Sequence, residues 1–389
     1  MRHTLFALTL LASSASAQFT LHDAHTTADL RGIDNVGGGV AWASGTDGTI
    51  LRTEDAGIVW QLCAKPPGAE HLDFRAIQAF DNNTAIIMSS GKGDLSRLYK
   101  TTDGCQHWTL LFTNPDKDGL WDALQFERKF EPPTNRVAHP STQSKGGVSR
   151  VVARDPDHFY VLGDSVDGKQ RLLEWDAGEM SGFEGAQPSK LQESSFAASN
   201  SVLEVVRTSQ EDKLWKYDLR WASGSPGHAY FHYRRHEETP TCEPCRGEFG
   251  LVDFKLKNIS PSAGIFSFAF RSDLIGVFVG GDYLKPNDST ETAGCSKDGG
   301  ITWYPATTPP HGYRSAVAYD ATTKTWITVG PNGTDISADD GKNWTALKPD
   351  PKFNDTPDAD QHWNALSLPY AVGPHGRIGT LRPTALTPK

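Results

Sequence analysis

The chain has 389 residues, of which 37% are hydrophobic, 22% charged and 10% aromatic, enough for a large core and too apolar for a disordered protein. Lys+Arg total 38 against 47 Asp+Glu, a net charge of −9, which argues against a basic nucleic-acid binder and against broad attraction to anionic membranes. With 37 glycines, 24 prolines and no sustained helical periodicity, the expected class is all-β.

Residues 1–17 read as an export signal. Arg2 and His3 precede an apolar run from Leu5 to Ala12, and Ala15-Ser16-Ala17 supplies the small residues of a cleavage site. That run is too short to span a bilayer, and no later apolar stretch is long enough. The mature chain from Gln18 to Lys389 is expected to be one exported domain, periplasmic or extracellular. Gln18 to Ala24 reads as a lone strand.

Four short strands follow, Arg31 to Val36, Val40 to Ser44, Thr49 to Thr53 and Val59 to Cys63, separated by Gly/Asp turns. Phe74 to Thr113 repeats the order. A third unit starts at Trp121, is interrupted near 128–150 by a polar segment that reads as a surface loop, and resumes at His158 to Gly163 and Gln170 to Trp175. A fourth covers Ser195 to Lys257, with Trp215, Tyr217, Leu219 and Trp221 on one face and a second insertion near 232–250. Units five and six run over Gly264 to Tyr304 and Gly312 to Ala346. The tail, Trp363 to Leu381, supplies only three strands, and the lone N-terminal strand would complete it.

One motif punctuates these units, Ser/Thr-x-Asp-x-Gly-x-x-Trp. It is centred on Asp55, Asp298 and Asp339, with a fourth copy at Asp103 in which Cys105 replaces the second glycine, and a remnant at Asp176 lacks the tryptophan. The aspartate accepts backbone N–H bonds across a tight turn, glycine takes the left-handed conformation, and tryptophan opens the next strand and packs between sheets. The role expected of these residues is structural.

The motif resembles the Asp-box of bacterial neuraminidase-type (BNR) repeats, which marks the turn between strands three and four of a β-propeller blade. The order Leu30-Arg31-Gly32-Ile33, Val40-Ala41-Trp42-Ala43-Ser44-Gly45, Gly48-Thr49-Ile50-Leu51-Arg52-Thr53, then the Asp-box, resembles the photosystem II stability/assembly factor type of propeller in its non-photosynthetic exported branch. The resemblance implies a seven-bladed propeller of four-stranded antiparallel blades, closed by the N-terminal strand. It also implies a non-catalytic role in assembling a protein complex, with a protein partner in the cell envelope.

In such a ring the loop entering strand one and the loop between strands two and three open on one face. Aligning strand one puts Arg31, Arg75 and Arg314 at one register, with Trp121, Ile265 and Trp363 elsewhere in it. The intervening loops add Asp164, Asp282, Tyr283 and Asn332, with Tyr313 beside Arg314. The resemblance implies that an arginine-rich patch here binds a partner. The other reading is that these arginines brace loops against Asp164 and Asp282. A secreted glycoside hydrolase of sialidase type is the alternative function, with Asp164, Asp282, Tyr283 or Tyr313 as chemistry-bearing groups and a glycan as substrate.

Five cysteines fit an oxidising compartment, with the pairing of Cys63, Cys105 and Cys295 left open. Cys242 and Cys245 form a CxxC in a loop context, which reads as a local disulfide clip. No cofactor or metal is expected: Gly163 to Lys169 lacks the Ser/Thr and the helix of a phosphate loop, and His228, His232 and His236 on a strand are too far apart to chelate.

Overall fold

The computed structural model describes residues 16–17, 19–126, 128–131, 150–152, 155–182, 193–196, 198–209, 215–225, 227–238, 248–255, 260–349, 351–353 and 355–386. The expected leader, apart from Ser16–Ala17, and the Cys242–Cys245 clip lie outside them. Ser16–Ala17 pairs in parallel with Lys348–Pro349.

The chain is a seven-bladed all-β propeller. Blade one is formed by Leu30–Gly37, Val40–Gly45, Ile50–Thr53 and Gln61–Leu62, in that spatial order. Blades two, three, five and six repeat the meander from Phe74, Trp121, Ala263 and Ala316. Blade seven takes three strands from the C-terminal segment, Ala365–Ser367, Tyr370–Val372 and Ile378–Leu381. Phe19–His22 supplies its outer strand, antiparallel from Phe19 opposite Leu381 to His22 opposite Ile378. Phe19 is buried against Trp363, ring centroids 4.7 Å apart. Closing the ring this way covers the edge that three strands would leave open.

The segment expected as a loop near 128–150 departs from that expectation at both ends. Arg128–Glu131 pairs in parallel with the first strand of blade four, Leu203–Ser209, and Arg150–Val152 pairs antiparallel with Arg128–Glu131, so blade four becomes a six-stranded sheet. The backbone that Arg128–Glu131 satisfies is the inner edge of Leu203–Ser209, at Val206 to Thr208, whose other edge is paired with Trp215–Ser225.

The repeated turn has one hydrogen-bond pattern in all four copies that keep the hydroxyl, the aspartate and the tryptophan. The fifth residue's N–H donates to the first residue's hydroxyl, from Gly57, Cys105, Gly300 and Gly341, at 2.9–3.1 Å. The seventh residue's N–H donates to the aspartate Oδ1, from Val59, His107, Thr302 and Asn343, at 2.8–3.0 Å. Hydrogen bonds from the backbone and ring of His107 pull the Asp103 carboxyl down to about 2. The tryptophan that follows packs on the preceding blade: Trp60 meets Tyr370 edge-on at 5.8 Å, and Trp303 meets Phe231 at 5.0 Å.

The fifth residue is left-handed in each copy, and Cys105 adopts φ +65° where the others carry glycine. The strained cysteine is explained by its partner, because Cys63, just past the outer strand of blade one, forms a disulfide with it. The bond staples blade one to the turn of blade two. Cys295 is a buried free thiol. Asp339→Ala, which removes an acceptor for the hydroxyl of Ser337, the N–H of Asn343 and its amide, is expected to cost about 1–2 kcal/mol, read as a shifted urea midpoint with an unchanged slope.

Candidate functional site at the channel mouth

Strand one of each blade begins at the mouth of the central channel, and in four blades it begins with a β-bulge. The paired residues step from Leu30 to Gly32, Phe74 to Ala76, Trp121 to Ala123 and Ile265 to Ser267. The skipped residues are Arg31, Arg75, Asp122 and Phe266. A bulged residue is freed from the alternation of the strand, so its side chain can be re-aimed at the mouth.

This register corrects the expected alignment. Leu30 N–H bonds to Gly373 O, Trp363 N–H to Gly330 O and Arg314 N–H to Gly280 O, each reaching the preceding blade. Arg314 is therefore the counterpart of Leu30 and Trp363, one residue short of Arg31 and Arg75. One residue in a strand changes the face, and the result is complete burial. Arg314 is 0% exposed. Its Nε donates to Asp335 Oδ2 at 2.8 Å, its Nη1 to Tyr313 O at 2.7 Å, and its Nη2 also reaches Asp335 and His311. Arg314 braces blade six and does not reach the mouth.

Other expected site residues divide the same way. Trp121 is buried against Phe112 and belongs to the core. Asp282 is buried and committed to its loop, accepting from Ser262 Oγ at 2.5 Å and Leu284 N–H at 3.1 Å, with Lys285 at 3.4 Å. Tyr313 is buried edge-on to Phe266 at 4.8 Å, and burial, then Tyr283, push its phenol up. Tyr283 stays 49% exposed, with Phe266 beneath it at 6.1 Å. Phe196 stacks on Phe266 at 4.0 Å, so the half-exposed Tyr283 stands on a largely buried aromatic cluster.

The arginines that do reach the mouth share one carboxylate. Arg75 Nε donates to Asp73 Oδ2 at 2.8 Å. Arg31 has only distant neighbours, with Asp29 at 3.6 Å from Nη2 and Asp73 at 3.9 Å from Nε, and its buried Nε has no hydrogen-bond partner. Its side chain is 29% exposed. The Arg31 guanidinium is thus ordered by charge while its donors remain unspent.

Asp164 lies beside Asp122, which the sequence reading missed. Asp122 is 1% exposed and hydrogen-bonds to Asp164, while its Oδ2 is buried without a partner. Burial, then the charge of Asp164, push Asp122 well above the usual carboxylate range, and nearby Arg75 opposes this only in part. Asp164 is raised mainly by burial, against hydrogen bonds from Ser195 N–H, at 3.1 Å, and from Asp122. The triplets Leu30-Arg31-Gly32, Phe74-Arg75-Ala76 and Trp121-Asp122-Ala123 carry the signal for Asp122: apolar, charged, small.

A second polar cluster sits in blade four. Ser223 Oγ donates to Glu193 Oε2 at 2.7 Å, and His232 Nε2 lies 2.9 Å from Ser223 Oγ and 3.1 Å from Glu193 Oε2. A nucleophile relay needs base and orienting acid on opposite ring nitrogens, whereas here both contacts fall on Nε2, and Trp221 covers the ring at 4.7 Å. The cluster is a buried brace. Among the described residues no group of three or more His, Cys, Asp or Glu could hold a metal ion.

No family model matches the sequence, and no curated protein matches it. Solved structures do. YCF48 from Cyanidioschyzon merolae is 14% identical, with 95% of this chain and 99% of that one covered and a TM-score of 0.50. The WD40 β-propeller domain of Doa1 is 9% identical over the same shares, TM-score 0.51. A structure of YCF48 bound to D1 peptide is 12% identical over the same shares, TM-score 0.37. At these identities the likeness is one of fold: the chain shares the seven-bladed β-propeller of YCF48 and of the Doa1 domain.

Proposed function

We propose that this chain is an exported β-propeller of the Asp-box, photosystem II stability/assembly-factor type, which binds a protein partner in the cell envelope at its channel mouth and does no chemistry on it. The observation that carries the reading is Arg31, a half-buried guanidinium beside Arg75 whose buried Nε has no hydrogen-bond partner and whose nearest carboxylates are 3.6 and 3.9 Å away. Arginine in that state suits a carboxylate from outside, because the cost of ordering and desolvating it is already met within the fold. Tyr283 and Leu284, 49% and 70% exposed on the loop after the second strand of blade five, supply apolar surface for a partner. The leader-like N-terminus and the Cys63–Cys105 bond support an oxidising compartment.

Glycoside hydrolysis is disfavoured by the carboxyls themselves. Asp282, the carboxyl that would work with Asp164, is buried and accepts from Ser262 Oγ and Leu284 N–H, which commits it to its own loop.

Arg31→Glu combined with Arg75→Glu is expected to abolish recovery of the partner cross-linked to the native protein in envelope extracts, while the thermal midpoint stays within a few degrees. Unchanged recovery would remove the channel mouth as the binding face. Turnover of a glycoside panel that disappears with Asp164→Asn or Tyr283→Phe would replace the reading with a catalytic one.

A further inference from the structure

The Asp122–Asp164 contact lies near Arg75 and is not explained by bracing. A brace would spend both oxygens of a buried carboxyl, as Arg314 and Asp335 spend theirs. Asp122 spends one and leaves Oδ2 buried without a partner. That arrangement suits a neutral carboxylic acid, whose carbonyl oxygen tolerates isolation better than half of a carboxylate does. Two touching carboxyls cannot both ionise cheaply, so one proton is held between them.

The surrounding groups determine what that proton controls. From blade two the neighbour is Arg75, itself held by Asp73. From blade four come Ser194 and Ser195, which are uncharged, and Glu193 next to them is turned onto Ser223 and His232. From blade one, Arg31 comes within 3.9 Å of the same Asp73. Each proton gained by the pair removes a negative charge near Arg75, which shares Asp73 with Arg31, and each proton lost adds one.

We infer that the channel mouth is an oxyanion site whose affinity is set by the proton shared between Asp122 and Asp164, with mild acid favouring binding. This rests on the reading of Arg31 and Arg75 as the groups that receive a partner's carboxylates. By linkage, an anion bound at the arginines must also draw a proton onto the pair.

Sulfate is a suitable probe, since it remains a dianion between about pH 5 and about pH 8 and any change in its binding belongs to the protein. Calorimetric titration of the full chain should show affinity rising about tenfold from the alkaline to the acid end, the effect of one charge at short range in a partly screened site. Arg31→Gln should bind no sulfate at either end. Asp122→Asn with Asp164→Asn should bind it at the alkaline end as tightly as wild type does at the acid end, with a flattened pH profile. Isotope-edited infrared spectra of wild type at neutral pH should contain a protonated-carboxyl stretch that Asp122→Asn removes, a measurement that stands if the double variant does not fold. Sulfate binding that does not depend on Arg31 would defeat the reading of the arginines. Arg31-dependent binding that ignores pH, or a neutral-pH spectrum without the protonated stretch, would defeat the proton coupling and leave that reading standing.

Discussion

Arg314→Ala is expected to destabilise the propeller by about 3–5 kcal/mol, the cost of leaving a buried carboxylate without its partner. Asp335 is buried with Arg314, and His311 Nδ1 lies 2.9 Å from its Oδ1. Burial works against the Asp335 charge, but hydrogen bonds from His311 and the charge of Arg314 outweigh it and hold the carboxyl below its usual range. Burial pulls Arg314 down even so: pairing outweighs burial for the carboxyl but not for the guanidinium, which stays charged because its ordinary value is so high. A carboxyl depressed in the folded state contributes stability that is present above its unfolded value and lost as pH falls through the folded one. Wild type should therefore lose this contribution only in acid, below about pH 4, and the gap between wild type and Arg314→Ala should close there.

Blade two shows how the same positions are filled without charge. Counting back from the turn hydroxyls Ser337 and Thr101, Asp335 corresponds to Tyr99, and strand one places Phe74 at the register of Arg314. Phe74 and Tyr99 meet edge-on at 5.9 Å. Arg314→Phe combined with Asp335→Tyr should recover most of the stability that either single change loses, since well-packed apolar pairs replace buried ion pairs at little cost. Urea titration of the four proteins of the cycle would decide it. A double variant as unstable as the sum of the singles would mean that the blades are not equivalent at this position.

Reduction of the Cys63–Cys105 bond is expected to cost up to about 4 kcal/mol, because it reopens a loop of 42 residues in the unfolded chain. It also removes the covalent tie between blades one and two, although Cys63, Cys105 and Trp108 share a hydrophobic cluster that would persist. Two replacements separate the bond from the turn. Cys63→Ala with Cys105→Gly relaxes φ +65°, whereas Cys63→Ala with Cys105→Ala keeps the strain, so the first should be the more stable by about 1 kcal/mol. Thermal midpoints with and without reductant test both statements. Identical midpoints for oxidised and reduced wild type would show that the ring needs no staple at this seam.

The turns, the strand order and the closing role of Phe19–His22 were all legible in the linear chain. Each rests on residues close in sequence or on a simple count: a hydroxyl, an aspartate and a glycine within eight residues define a turn, and three strands at the C-terminus ask for a fourth. Three features were settled by tertiary structure. The bulges decide which residue of strand one faces the mouth, so Arg31 and Arg75 reach it while Arg314, in a similar-looking triplet, is buried. The pairing of Asp122 with Asp164 and of Cys63 with Cys105 depends on how neighbouring strands and blades are set against one another. The segment near 128–150 begins and ends as strands because blade four offers an edge to pair with. Local hydrogen bonding is written into consecutive residues, whereas burial, charge coupling and cross-links depend on distances between residues about 40 or more positions apart, which exist only once the ring has closed.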